Sequence, residues 1–237
     1  MDEERTLRHI PLLEGLEAEE VAGLERRCRW RRYHEGERVL DSGGSSRDVY
    51  FVVTGAVSIV NFSLSGREVT LATAKAGSYF GELAAIDNQP RSASVVAVGD
   101  SLIAALPPRH FLDLLQRRAE VTFRVLQRLT GIIRQSDQRI MELSTLAATQ
   151  RVYAELLRMA EPDAAVPGLW VIRPLPPLRE VASRVSTTRE TVARSLAQLY
   201  PTGLARRKGR NLYLMDRDGL ERAVTALTLD KAGKPAR

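Results

Sequence analysis

From Trp30 onward the apolar residues come in short runs, Val49-Tyr50-Phe51-Val52-Val53 and Val57-Ser58-Ile59-Val60 among them, punctuated by Gly36, Gly43-Gly44, Gly55, Gly66 and Gly77. Regular short strands separated by glycine turns predict a small antiparallel sandwich or jelly-roll barrel. Ahead of it, Leu12, Leu13, Leu16, Val21 and Leu24 recur at roughly helical spacing and predict short amphipathic helices packed on the strands. After Leu106-Pro107-Pro108 the period turns helical and stays so to about Leu146. Within this stretch Leu126, Leu129, Ile133, Ser136, Ile140 and Leu143, with Thr122 before them, follow a heptad seam. Such a seam on a helix attached to a domain with its own core predicts pairing with a second copy about a two-fold axis. Burial against the barrel is the alternative, because a seam does not name its partner.

Beyond a hinge at residues 142–147 the pattern predicts a helix over 149–160 and a loop over 161–168, and Pro174, Pro176 and Pro177 forbid regular helix before Leu178. Residues 178–185 and 189–199 then read as two helices separated by Ser186-Thr187-Thr188, with Val181, Ala182 and Val185 facing Val192, Leu196 and Leu199. The three hydroxyl residues between them suit a helix cap. The run 204–214, with Arg206, Arg207, Lys208, Gly209 and Arg210 at its centre, predicts a hairpin with a basic glycine tip. Residues 220–229 can form one more helix, and 230–237 read as a disordered tail. The whole is an α+β chain in three parts: a barrel over residues 1–107, a pairing helix and hinge over 108–146, and a winged helix-turn-helix over 147–237.

Charge sharpens this division. Residues 1–150 are nearly neutral, with 19 Lys and Arg against 20 Asp and Glu, whereas 151–237 carry 16 against 9. A basic last third suggests a polyanionic partner, although a solvated basic face has the same composition. The single cysteine, Cys28, makes no internal disulfide and offers no iron–sulfur or zinc site, and His9, His34 and His110 are scattered. With neither a signal peptide nor an apolar run long enough to span a bilayer, the chain is expected to be cytoplasmic, away from membranes.

Two stretches carry chemistry. In residues 79–97, Gly81 leads into a short apolar turn, Glu82 follows it, and Arg91 and Ser92 come after the breaker Asp87-Asn88-Gln89-Pro90. A permissive glycine with free N–H groups and an arginine suit an anion, while a carboxylate suits a hydroxyl on the same ligand. Together they describe a pocket for a sugar phosphate; the alternative is an Arg–Glu pair bracing a loop. In the second stretch, Arg189, Glu190 and Arg194 share the polar face of the second helix of the helix-turn-helix. Arginine matches guanine O6 and N7, and glutamate accepts from cytosine N4, so the three read as base-reading side chains of a protein that binds double-stranded DNA. On a solvated helix they are simply salt-bridge partners four apart.

The first stretch resembles the phosphate-binding cassette of cyclic-nucleotide-binding domains. That likeness implies that Glu82 holds the ribose 2′-OH, that Arg91 pairs with the cyclic phosphate, and that Gly81, Leu83 and Ser92 complete the cradle. With the pairing helix and the winged helix-turn-helix behind it, nearly the whole chain is similar to the CRP/FNR (catabolite activator, cyclic-AMP receptor) family of bacterial transcription regulators.

What the family implies is a homodimer controlled by a cyclic mononucleotide, cAMP or cGMP, that acts on a two-fold operator with TGTGA-like half-sites together with RNA polymerase. It places Ser136 and Asp137 beside the purine, one from each subunit. Asp137 departs from the paired hydroxyls usual in cyclic-AMP receptors; an ionised carboxylate only accepts, and guanine offers N1–H and N2–H2 as adjacent donors, so Asp137 favours cGMP. Thr191 becomes a phosphate contact beside Thr188, Arg189, Glu190 and Arg194, and Lys208 and Arg210 of the wing contact phosphates too. Ser186, where the turn commonly has glycine, and Pro201, just after the reading helix, depart from the family pattern. A DNA-binding regulator with a vestigial pocket, an enzyme acting on the nucleotide and a cyclic dinucleotide as ligand are the alternatives, the enzyme lacking an activated nucleophile or metal-ligand cluster near the cassette.

Overall fold

The computed structural model describes residues 5–63 and 68–232, so the turn expected at Gly66 and the last five residues of the expected tail lie outside it. The chain divides into two compact units, Met1–Ile132 and Ile133–Arg237.

The first unit opens with a 3-10 turn, Pro11–Leu13, and helix α1, Ala18–Glu25, which begins where Glu20 turns back to accept from the Glu17 N–H at 3.1 Å. Eight strands follow: β1 (Arg29–Tyr33), β2 (Arg38–Leu40), β3 (Val49–Thr54), β4 (Ala56–Phe62), β5 (Glu68–Lys75), β6 (Tyr79–Phe80), then helix α2 (Glu82–Asp87), β7 (Ser94–Ala97) and β8 (Ser101–Leu106). They form two antiparallel four-stranded sheets, ordered β1-β8-β3-β6 and β2-β7-β4-β5. The unbroken apolar run of β3 is explained by burial on both faces. Val49, Phe51 and Val53 point outward against Leu7, Phe111 and Val121, whereas Tyr50 and Val52 point between the sheets toward Val57, Phe80 and Ile103.

Helix α3 (Pro108–Arg117) starts on Pro108, which needs no N–H partner in a first turn. Arg118 leaves helical geometry at ψ 92°, and its guanidinium pairs with Glu20 of α1. Helix α4, Ala119–Thr145, follows. Its first turns close the first unit, with Val121 and Val125 buried in the core and Leu129 packed on it.

The second unit contains the C-terminal part of α4 and helix α5 (Ala148–Met159), which begins with the Ala147 N–H donating to the Gln150 side chain at 2.7 Å. Strands β9 (Glu161–Pro162) and β10 (Trp170–Ile172), helices α6 (Leu178–Arg184) and α7 (Arg189–Leu199), strands β11 (Ala205–Lys208) and β12 (Asn211–Leu214), and helix α8 (Arg217–Ala232) complete it. Its sheet is ordered β11-β12-β10-β9, so residues 161–168 are not all loop: Glu161 and Pro162 pair with β10. The expected tail is also corrected, since α8 continues through residues 230–232. Val181, Ala182, Val185, Val192, Leu196 and Leu199 are all buried in one core, which is the helix-against-helix packing read from the sequence.

Candidate functional site

The loop between β6 and β7 is built around Arg91, which is only 4 % exposed. Its Nη1 donates to the carbonyl of Gly81 at 2.9 Å, its Nη2 to that of Asp48 at 2.7 Å and its Nε to Ser46 Oγ at 3.2 Å. The guanidinium also lies 5.4 Å from the centre of the Tyr50 ring, which stacks on Phe80 at 5.1 Å. Burial pushes the Arg91 pKa below the ordinary arginine value, which still leaves it a cation. Three of five donors therefore set its position, and the remaining N–H groups suit an anion.

Gly81 stands at φ +85°, and a Cβ there would sit 2.6 Å from Arg91 Nη1 and 3.0 Å from the Asp48 carbonyl. The glycine is thus required twice, for conformation and for space. Glu82, the first residue of α2, is 5 % exposed, and its carboxylate makes no hydrogen bond or ion pair among the described residues. Arg91 donates to Ser46, Gly81 and Asp48 and forms no ion pair with Glu82, so the alternative of a loop-bracing Arg91–Glu82 pair is not what the chain forms.

Leu83 and Ser92 are exposed at the two ends of the loop, and Asn61 Nδ2 donates to the Ser92 carbonyl at 3.0 Å. Arg47 donates to the carbonyls of Gly44, Ser46 and Asn88, tying the segment before β3 to the end of α2. Behind the loop, Arg128 of α4 lies over the Tyr79 ring at 3.9 Å, and burial pushes the Tyr79 hydroxyl up to about 12.

Along α4 the expected seam divides. Thr122 donates to the Leu115 carbonyl and Leu129 packs on the first unit's core, whereas Leu126, Ile133 and Ile140 are 55, 60 and 61 % exposed. Ser136 and Asp137 are exposed, in the part of α4 that belongs to the second unit.

In the second unit α6 ends at Arg184, and Ser186 adopts φ +52° where a glycine is unstrained. Thr188 caps α7, its Oγ1 accepting from the Thr191 N–H at 3.2 Å. Ser195 is fully buried, its hydroxyl donating to the Thr191 carbonyl at 2.9 Å, and Tyr153 of α5 donates to the Ser195 carbonyl. This fixes the rotation of α7, leaving Arg189, Glu190 and Arg194 exposed on its outer face. Neither arginine is salt-bridged among the described residues, so the pairing of Glu190 with Arg194 does not occur. A hydrogen bond from its own backbone N–H, and then one from the Thr188 hydroxyl, hold the Glu190 carboxyl below its usual value.

Pro201 lies in a 3-10 turn, Tyr200–Thr202, that follows α7. In the wing, Lys208 pairs with Asn211, which leaves Gly209 at φ +60° and Arg210 as a two-residue tip; Arg206 to Arg210 are all exposed.

Sequence reasoning passed over Ser46, Arg47 and Asp48. Their role is visible only through the fold, because Arg91 reaches a carbonyl 43 positions away.

A two-sheet barrel with an Arg–Glu–Gly loop, joined by a long helix to a winged helix-turn-helix, defines a ligand-binding DNA regulator. Residues 30–118 match the cyclic nucleotide-binding domain and residues 150–223 the Crp-like helix-turn-helix domain. The chain is 33 % identical to the cyclic AMP receptor protein of Thermus thermophilus over 84 % of its own length and 90 % of that protein's. It is 27 % identical to the cAMP-activated global transcriptional regulator Vfr of Pseudomonas aeruginosa, covering 88 % and 97 %. Among solved structures, the Thermus thermophilus catabolite activator protein is 30 % identical with a TM-score of 0.52, covering 92 % of this chain and 99 % of that one. CooA of Carboxydothermus hydrogenoformans shares the fold at a TM-score of 0.77 and 23 % identity, covering 90 % and 95 %.

The chain belongs to the CRP/FNR family. It is a DNA-binding transcription regulator with a cyclic nucleotide-binding domain, not an enzyme. No helix among the described residues is long and apolar enough to cross a membrane.

Proposed function

We propose that this protein is a homodimeric, sequence-specific, cytoplasmic regulator controlled by a cyclic mononucleotide. The observation that carries this reading is Glu82, a largely buried residue whose carboxylate has no hydrogen-bond partner among the described residues, in the same loop as the buried, three-point-anchored Arg91. A ribose hydroxyl supplies what Glu82 lacks, and a cyclic phosphate suits the remaining donors of Arg91. Gly81, Leu83 and Ser92 complete the cradle, and Ser136 and Asp137 meet the purine.

Exposed Leu126, Ile133, Ile140 and Leu143 on α4 supply the pairing seam, since an apolar helix stripe of this length is stable only when covered. Thr188, Arg189, Glu190, Thr191 and Arg194 read a half-site of the TGTGA type while Lys208 and Arg210 hold phosphates. The two half-sites lie about 34 Å apart. The division into residues 1–107, 108–146 and 147–237 follows these three tasks. Nucleotide acts by differential affinity for two arrangements of the paired helices, and RNA polymerase is the downstream partner.

The relatives named for cyclic AMP point to cAMP, and the Asp137 carboxylate to cGMP. Calorimetric titration with both nucleotides, followed by a gel shift on a two-fold TGTGA duplex with and without each, tests the reading. Nucleotide-dependent retardation supports it; equal retardation with and without nucleotide makes the protein a ligand-independent regulator with a vestigial pocket.

A further inference from the structure

The last turns of α4 are bound to the rest of the second unit by side chains that neither the nucleotide nor the bases use. Arg139 Nη2 donates to the carbonyl of Arg184 at 2.8 Å. Arg151 of α5 donates through Nε to the next carbonyl, that of Val185, at 3.0 Å, and through Nη1 to Leu146 at 2.8 Å. Val185 is the cap residue of α6, and Ser186 with its positive φ comes next. Two guanidinium groups, one of them from the long helix, thus satisfy carbonyls at the end of a helix that has no donors of its own left to offer.

A chain of ion pairs surrounds this cap. Glu142 accepts from Arg158 at 2.6 Å, Arg158 pairs with Glu155 at 2.9 Å, Glu155 with Arg184 at 3.5 Å, and Arg184 with Glu180 at 2.6 Å. Glu142 and Glu155 are 7 and 8 % exposed, whereas the side chains of Arg158, Arg184 and Glu180 are partly solvated, so the chain links α4 through α5 to α6 at the edge of the interior.

We propose that Arg139 is a positioning residue for DNA recognition: through the Arg184 carbonyl it fixes the end of α6, and with it the turn that aims α7. Arg139 follows Ser136 by three residues, about one helical turn. A rotation of α4 that changes what Ser136 and Asp137 meet carries Arg139 with it, and the Arg184 carbonyl loses its donor unless α6 follows. The position of the turn is therefore read from the long helix directly. The physiological use of this link rests on the nucleotide-gated reading above, whereas the link itself does not.

The test compares full-length Arg139→Ala and Arg139→Lys with the parent chain. Hydrogen exchange is followed across residues 178–232, and affinity for a two-fold TGTGA duplex is measured without nucleotide, with cAMP and with cGMP. Arg139→Ala is expected to speed exchange by roughly tenfold at the amides of 185–188 but not in α8. It should also remove at least about fivefold of the nucleotide-dependent gain in DNA affinity while nucleotide affinity stays within about twofold. Arg139→Lys, which keeps a cationic donor, should recover most of both.

Unchanged exchange at 185–188, or acceleration spread evenly through the second unit, overturns the positioning role. So does a full nucleotide-dependent gain in Arg139→Ala. A parent chain whose DNA affinity ignores both nucleotides overturns the gated reading instead, and the exchange comparison still decides the role of Arg139.

Discussion

Arg91 and Gly81 hold each other in place: the guanidinium donates to the Gly81 carbonyl at 2.9 Å, and the space a side chain at Gly81 would need is the space Nη1 fills. Gly81→Ala therefore strains the backbone at φ +85° by about 1–2 kcal/mol and displaces the anion-binding group in one step. We expect a loss of nucleotide affinity of at least roughly tenfold, with a stability loss of that size in denaturant titration. Unaltered affinity would show that Arg91 does not face the ligand.

Glu82 makes the opposite prediction for stability. Its carboxylate has no hydrogen-bond partner among the described residues, so Glu82→Ala should leave the ligand-free protein about as stable as the parent. Nucleotide affinity should nevertheless fall at least tenfold, because a hydroxyl acceptor is gone. Thermal unfolding paired with calorimetry separates the two effects, and a destabilised variant with normal affinity sinks the assignment.

Asp137→Ser replaces a pure acceptor by a group that both donates and accepts. The ratio of cGMP to cAMP affinity should move toward cAMP by about a factor of ten, the worth of one charge-assisted hydrogen bond. Identical ratios in parent and variant would remove Asp137 from the purine site.

On DNA, reading and holding separate cleanly. Arg189→Ala should cost about 1–3 kcal/mol and relax selection at one base pair of each half-site. Arg210→Ala at the wing tip should weaken all sequences alike and lower the salt slope by about one. A binding-site selection profile indifferent to Arg189 would exclude it as a reader.

Acid should loosen the second unit through Glu142. Burial alone would raise its pKa, but hydrogen bonds from Arg158 and Gln138 outweigh burial and hold it below the ordinary 4.5. A carboxyl depressed on folding contributes stability above its unfolded pKa and loses that contribution as pH falls through the folded one. Unfolding of the parent should therefore steepen below about pH 4.5, and Glu142→Gln should flatten the dependence in that range. Identical acid profiles would contradict the pairing.

The Gly81–Arg91 loop and the packed helices α6 and α7 were legible locally, because glycine, glutamate and arginine fall within a dozen residues and the apolar faces of the two helices repeat regularly. The anchoring of Arg91 was hidden, since its acceptors at Asp48 and Ser46 are backbone and hydroxyl groups more than forty positions away. Strands β9 and β10 escaped because two- and three-residue strands are too short to show a period. The spacing of the heptad seam does not tell which of its members are covered within the chain: Leu129 packs on the first unit's core, whereas Ile133 and Ile140 are exposed.

Ser186 at φ +52° gives the helix-turn-helix a property of its own. A serine in the left-handed region costs about 1 kcal/mol that a glycine would not, so the turn has no intrinsic preference for the geometry that aims α7. Its conformation is imposed by surrounding structure, which makes the register of base recognition a tertiary rather than a local property. Residues 185–188 should then be among the first amides of the domain to open and the last to close, and partial unfolding elsewhere in the unit would misdirect α7 before it melted it.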